Sequence, residues 1–338
     1  MADKGEASNV VLQDETMLEM QKALMETSCP ISVTVTYSAM GNYKKADQFL
    51  ADCKNGKSGS VVIYEVRQDG GINRMKFIYD ETDMYVVSTS GVWMENNTPG
   101  IAYTSYTRIK EWEYTENGWF CYELCVPEPP EIMDGSCLIR IIPMPEKERE
   151  LSKLCVQGIG YQGNNLLCSD WDLDNLDALD YNGLYEYLYR MKYGEQLQAE
   201  NYTDGIPKAE FESLMMEYFP ISEEELQKYA EFDEKTSRYA WASLGCGNYV
   251  PNFLGTSVPE VVEIKENLDD TVTLTVNAVC DMVICNDALI THKLTVKFKE
   301  DGSFQYLGNE IWEEDKINVP EYQYRVKGEI KNGSGRIS

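Results

Sequence analysis

The chain is poor in the residues from which most enzyme sites are built. It carries one histidine, His292, in 338 residues. Metal sites made from two or three histidines are excluded by that count, and any nucleophile–base pair would have to use this single ring. No Cys-x-x-Cys occurs, which removes the usual signature of zinc ribbons and thioredoxin-type redox sites. Cations are scarce: 30 Lys and Arg stand against 57 Asp and Glu, a net charge of −27 at pH 7, with a pI near 4.4. Phosphate-tracking proteins present basic grooves, so nucleic acid is not expected as a partner, and an anionic membrane surface would repel the chain. The charge itself reads as solubility. No apolar run approaches the ~20 residues that span a bilayer, so no transmembrane segment is expected.

The opening "MADKGEASNVVLQDETM" has neither the basic nor the apolar region of a signal peptide and reads, over residues 1–13, as a polar tether. Ten cysteines, an even number, point to an oxidising compartment with at least partial pairing.

With 43% apolar residues the chain can fill two cores of ordinary size. Helical spacing of Met17, Leu18, Met20, Ala23, Leu24 and Met25 predicts a helix over about Glu15–Thr27. "ISVTVTY" (31–37) alternates as a strand does, and "YKKADQFLADCKNG" (43–56) reads as a helix stopped at Asn55-Gly56. Strands follow at 60–66, 72–80, 84–90, 107–115, 118–126 and 137–142, with turn signals at "QDGG" and "ENG". "PMPEKERE" (143–150) marks a boundary, giving an N-terminal α+β domain over 14–143 and a second domain over 144–338. The second opens with helices, among them 179–195, 206–219 and 222–232, the last with a capping box from Ser222 and Glu225. It closes with strands at 271–284, 288–299 and 303–312. The fold expected is α+β: an antiparallel sheet with short helices, then helices packed on a curved antiparallel sheet.

Residues 41–90 carry the order Asn42, Phe49-Leu50, Asn55-Gly56-Lys57, a strand, Asp69-Gly70, and a strand ending Tyr79-Asp80. They resemble a small uncharacterised domain found in secreted lipoproteins of Gram-positive bacteria. Residues 206–259, with "IPKAEFESLMMEYFPISEEEL" and "LGCGNYVP", are similar to uncharacterised extracytoplasmic proteins of gut anaerobes. Neither resemblance brings an activity or catalytic residues. Both imply a location outside the membrane at the cell envelope, with anchoring through a segment ahead of the polar tether.

Several stretches invite a chemical reading. "GIGYQG" (158–163) matches Gly-x-Gly-x-x-Gly, but a helix-like segment precedes it where a dinucleotide site needs a strand. Asp170, Asp172 and Asp174 alternate as in a calcium loop, yet Asn175 stands for the required glycine and Tyr181 for the bidentate glutamate, so no metal is expected. His292 shares a strand face with Ile290, Leu294, Val296 and Phe298, which fits a core ring or, alternatively, the chain's only base. Acids beside tryptophan in "EWEY" (111–114) and "DWD" (170–172) would serve a two-carboxylate glycosidase. Cys246, between two glycines and in acidic surroundings, reads as a structural cysteine in a turn or a disulfide.

Tyrosine is abundant, 23 in all, and Tyr181, Tyr185, Tyr189 and Tyr193 recur every fourth residue. Each step of four advances about 40° round a helix, so they trace a slanting stripe. The stripe is either a core face or an exposed platform for stacking glycan or peptide. These readings favour a non-catalytic extracytoplasmic binding or interaction module without a cofactor, its partner a glycan, a peptide or another envelope protein. The alternative is a carboxylate-based hydrolase of glycan or cell-wall material.

Overall fold

The computed structural model describes residues 11–94, 98–125, 136–245, 247–280 and 288–326. They fall into two compact units, the first ending at Pro145 and the second starting at Glu146.

Unit 1 is a seven-stranded sheet in the order β1 to β7: Ile31–Val33, Gly59–Val66, Ile72–Tyr79, Met84–Trp93, Pro99–Tyr114, Trp119–Leu124 and Ser136–Arg140. All neighbours are antiparallel except β1 and β2. That pair is parallel because α2 (Lys44–Lys54) carries the chain across between them. The spacing Ala46, Phe49, Leu50, Cys53 puts one apolar stripe on α2, and the stripe packs on Val61, Ile63, Met75, Phe77 and Phe120. On the opposite face α1 (Asp14–Leu24) buries Met17 against Ile31, Val33 and Val66. The two helices match their expected spans closely, whereas β1 is three residues long instead of seven. After Val33 the chain turns back, with Tyr37 and Asn42 in the left-handed region.

Unit 2 packs helices on an antiparallel sheet of four strands, β11 (Val258–Glu266), β12 (Val272–Val279), β13 (Thr291–Phe298) and β14 (Phe304–Ile311). α4 (Tyr181–Tyr193) and α5 (Lys208–Tyr218) bury Leu184, Leu188, Phe211 and Met215 in one cluster with Leu274, Val276, Leu294 and Val296. A small three-stranded sheet, β8 (Ile206–Pro207), β10 (Arg238–Tyr239) and β9 (Phe232–Asp233), joins the ends of these helices. α6 (Glu223–Tyr229) has the expected capping box: Ser222 Oγ accepts from the Glu225 N–H and the Glu225 carboxylate accepts from the Ser222 N–H. β11 has no counterpart among the expected strands, because Pro259 and four acids or lysines hide its apolar alternation.

Candidate functional site

In unit 2 the residues that looked most like chemistry serve the interior. His292 is fully buried. Asn309 Nδ2 donates to the Ser169 carbonyl at 2.9 Å, which turns Asn309 Oδ1 toward His292 Nδ1 at 2.6 Å. Nδ1 therefore carries the proton, and Nε2 accepts from the Tyr161 hydroxyl at 2.8 Å. Burial lowers the ring's pKa to about 4, so it stays neutral at physiological pH. Both nitrogens are committed, and the core alternative is the correct one.

The tyrosine stripe divides. Tyr181 and Tyr185 are buried, their rings against Phe219 and Phe211. This corrects the platform reading for both, since a ring already covered has no face to offer a ligand. Tyr189 is half-buried and only Tyr193, 53% exposed, stands out. Two glycines of "GIGYQG" are packing positions: a Cβ on Gly158 would collide with Met191, and one on Gly163 with Arg325, Leu244 and Tyr187, whereas Gly160 has open space and left-handed backbone. A helix, α3 (Glu146–Leu151), and a π-turn lead into them. Arg325 is itself enclosed, pairing with Glu186 at 2.8 Å and donating to the Gly163 carbonyl at 3.0 Å, with Tyr187 under its guanidinium. Asp180 caps α4 through the Gly183 N–H and accepts from the Tyr322 hydroxyl.

The aspartate loop is likewise self-satisfied. Asp170 accepts from the Ile311 N–H and pairs with Lys316, and Asp172 accepts from the Asp174 N–H. Among the described residues no group of three or more His, Cys, Asp or Glu is placed to hold a metal ion. Trp171 is buried and Trp112 packs on Tyr79 and Phe120, so neither acid–tryptophan stretch forms an open aromatic floor. Cys29, Cys53, Cys125, Cys155, Cys168 and Cys280 are free thiols, so the pairing expected from the even count is not found at these six. Burial pushes the Cys53 thiol up to about 11 and Cys155 and Cys168 up to about 12, the reverse of what a nucleophile needs. Cys246 lies outside the described residues.

A different feature, a strand edge beside a cleft, lies in unit 1. In unit 1 the Tyr64 N–H donates to the Pro30 carbonyl at 2.9 Å, so Tyr64 turns its backbone groups toward β1. Alternation along the strand aims the N–H and C=O of Val62 and Ser60 the same way. β1 covers only Tyr64, Glu65 and Val66. The next donor in the row would be the residue at position 30, and proline has none. One step further, Ser28 has left-handed backbone and its carbonyl accepts from Lys45 Nζ at 2.7 Å. Among the described residues, the edge of β2 from Gly59 to Val62 therefore has no partner strand.

Beside that edge lies a cleft of about 640 Å³, lined by one face of α2 (Lys44, Lys45, Gln48, Phe49, Asp52) and by Lys57 and Ser58. Three lysines around one cleft stand out in a chain of net charge −27. Lys57 pairs with Asp52, whereas Lys44 has no ion-pair partner among the described residues. Two lysines also open α2, where the helix dipole disfavours cations. That local mismatch, together with a proline at the head of a strand, was the sequence's signal for this site, and reasoning from catalytic motifs passed over it.

No curated protein and no solved structure matches the chain. A family model described as "Family of unknown function (DUF6070)" matches residues 2–325, nearly the whole sequence, and the chain belongs to that family.

Proposed function

We propose that this protein is a non-catalytic extracytoplasmic binding module that captures an extended polypeptide segment by strand addition to β2. The observation that carries the reading is the unpartnered edge at Ser60 and Val62, set in a lysine-rimmed cleft. Each of these two residues offers one N–H and one C=O. At about 0.5–1.5 kcal/mol net per hydrogen bond they contribute roughly 2–6 kcal/mol. A micromolar complex needs about 8 kcal/mol, so the helix wall and the lysines must supply the rest. Enzymatic alternatives lose their supports here: the histidine is enclosed, the described thiols with shifted pKa values are all raised, and the acid–tryptophan stretches are engaged in structure. The extracytoplasmic placement rests on the lipoprotein resemblance.

The test is amide hydrogen exchange on the intact protein with random extended hexapeptides added. Ser60 and Val62 should gain protection, and Ser60→Pro should abolish binding while the circular dichroism spectrum stays unchanged. Proline removes only the outward donor at an exposed edge position. Retention on a glycan or peptidoglycan array, with no peptide protecting these amides, would overturn the proposal.

A further inference from the structure

The two ends of the cleft differ in charge. α2 runs opposite to β2 along it, as the contacts at each end show. Lys57, two residues before Gly59, is paired with Asp52 near the helix C-terminus. At the other end Lys45 reaches Ser28, two residues before Pro30, and Lys44 stands unpaired beside it. The N-terminus of this eleven-residue helix has no side-chain cap. The Val62 end is thus the positive end, through two ammonium groups and the helix dipole. It is also a dead end. Beyond Val62 the edge belongs to β1, so an added strand must stop there or leave the sheet.

A strand antiparallel to β2 would bring its N-terminus to this end, an ammonium against Lys44 and Lys45. A parallel strand brings its C-terminus, a carboxylate that the same groups attract. Resting on the strand-addition reading above, we propose that the cleft recognises the C-terminal end of a polypeptide. The ligand lies parallel to β2, and its free α-carboxylate is seated at Lys44, Lys45 and the first turn of α2. Charge-assisted hydrogen bonds from ammonium to carboxylate are about twice as strong as neutral ones, which makes this contact the discriminating one.

The experiment uses the full chain and N-acetylated random hexapeptides in two forms, free acid and C-terminal amide, recovered by affinity selection and identified by mass spectrometry. The free-acid form should be recovered about tenfold better. For the best free-acid sequence, amidation should raise Kd by a similar factor. Lys44→Gln and the double variant Lys44→Gln/Lys45→Gln should shrink that ratio toward one, raising the free acid's Kd by more than the amide's. Lys44 is exposed, so the single variant keeps the fold even if loss of the Lys45–Ser28 contact disturbs the double. Equal binding of acid and amide, with Ser60 and Val62 still protected, would overturn the carboxylate reading and leave strand addition standing. No protection by either form would overturn both.

Discussion

The two units treat their polar groups in opposite ways. Unit 2 encloses them: His292, Asp180, Glu212 and Arg325 are all buried, and each is met by a hydroxyl, an amide, a carbonyl or an opposite charge, with Arg325 Nε left unpaired. Unit 1 keeps its main core almost wholly apolar, from Phe49 and Ile63 to Phe77 and Phe120. It leaves its unsatisfied polarity outside, along the β2 edge. A buried network fixes one arrangement and leaves no room for a ligand, whereas an open backbone edge can be completed only by another molecule. Residues of unit 2 that look catalytic in isolation thus serve its interior.

The comparison breaks most severely if Arg325 is removed. Arg325→Ala leaves the partly exposed Glu186 without its partner, the buried Gly163 carbonyl without its donor and the space over Tyr187 empty, and it should cost unit 2 about 4–5 kcal/mol, read as loss of hydrogen-exchange protection in peptides of α4. A smaller effect sharpens the division of the tyrosine stripe. Tyr185→Ala should destabilise by about 3–4 kcal/mol in urea unfolding, as for other buried aromatics, and Tyr193→Ala by less than about 0.5 kcal/mol. Comparable costs for the two would mean that the stripe has one environment instead of two.

The smallest effect is that of pH. The folded His292 pKa of about 4 lies below the 6.5 of a free ring, so below pH 6.5 the unfolded chain takes up a proton that the folded one refuses. Stability from this group is complete above about pH 6.5 and falls as pH drops toward 4, by about 3 kcal/mol at one pKa unit per 1.36 kcal/mol. Urea midpoints at pH 7 and 4.5 should differ more for the native protein than for His292→Gln. Parallel slopes would show that the ring does not set this dependence.

Much of the fold was legible. Apolar periodicity located α1, α2, α4 and the long strands β2, β3, β12, β13 and β14, because each carries its core-facing apolar side chains at regular spacing, as Leu274, Val276 and Ala278 do on β12. Legibility failed where pattern and pairing separate. β5 begins at Pro99 rather than near residue 107, and most of its first eight residues are exposed, so no hydrophobic alternation announces it. The parallel β1–β2 pair depends on a crossover that no local pattern records. At the candidate site, side-chain chemistry was the wrong currency: the receptive groups are backbone N–H and C=O, which every sequence contains. Only Pro30 and the lysines at the head of α2 hinted that they had been left open.

The proline at the head of β1 also bears on how this protein keeps company with itself. An unpaired strand edge is a template on which a second copy can polymerise, edge against edge. Two copies approaching in that way would bring Lys44, Lys45 and Lys57 of each against those of the other, while the charge of −27 holds whole molecules apart. Acidification toward the pI of about 4.4 removes the second barrier and leaves only the lysines. The edge proposed to take a guest strand is thus the same one on which a second copy could add, and its cationic rim opposes that outcome.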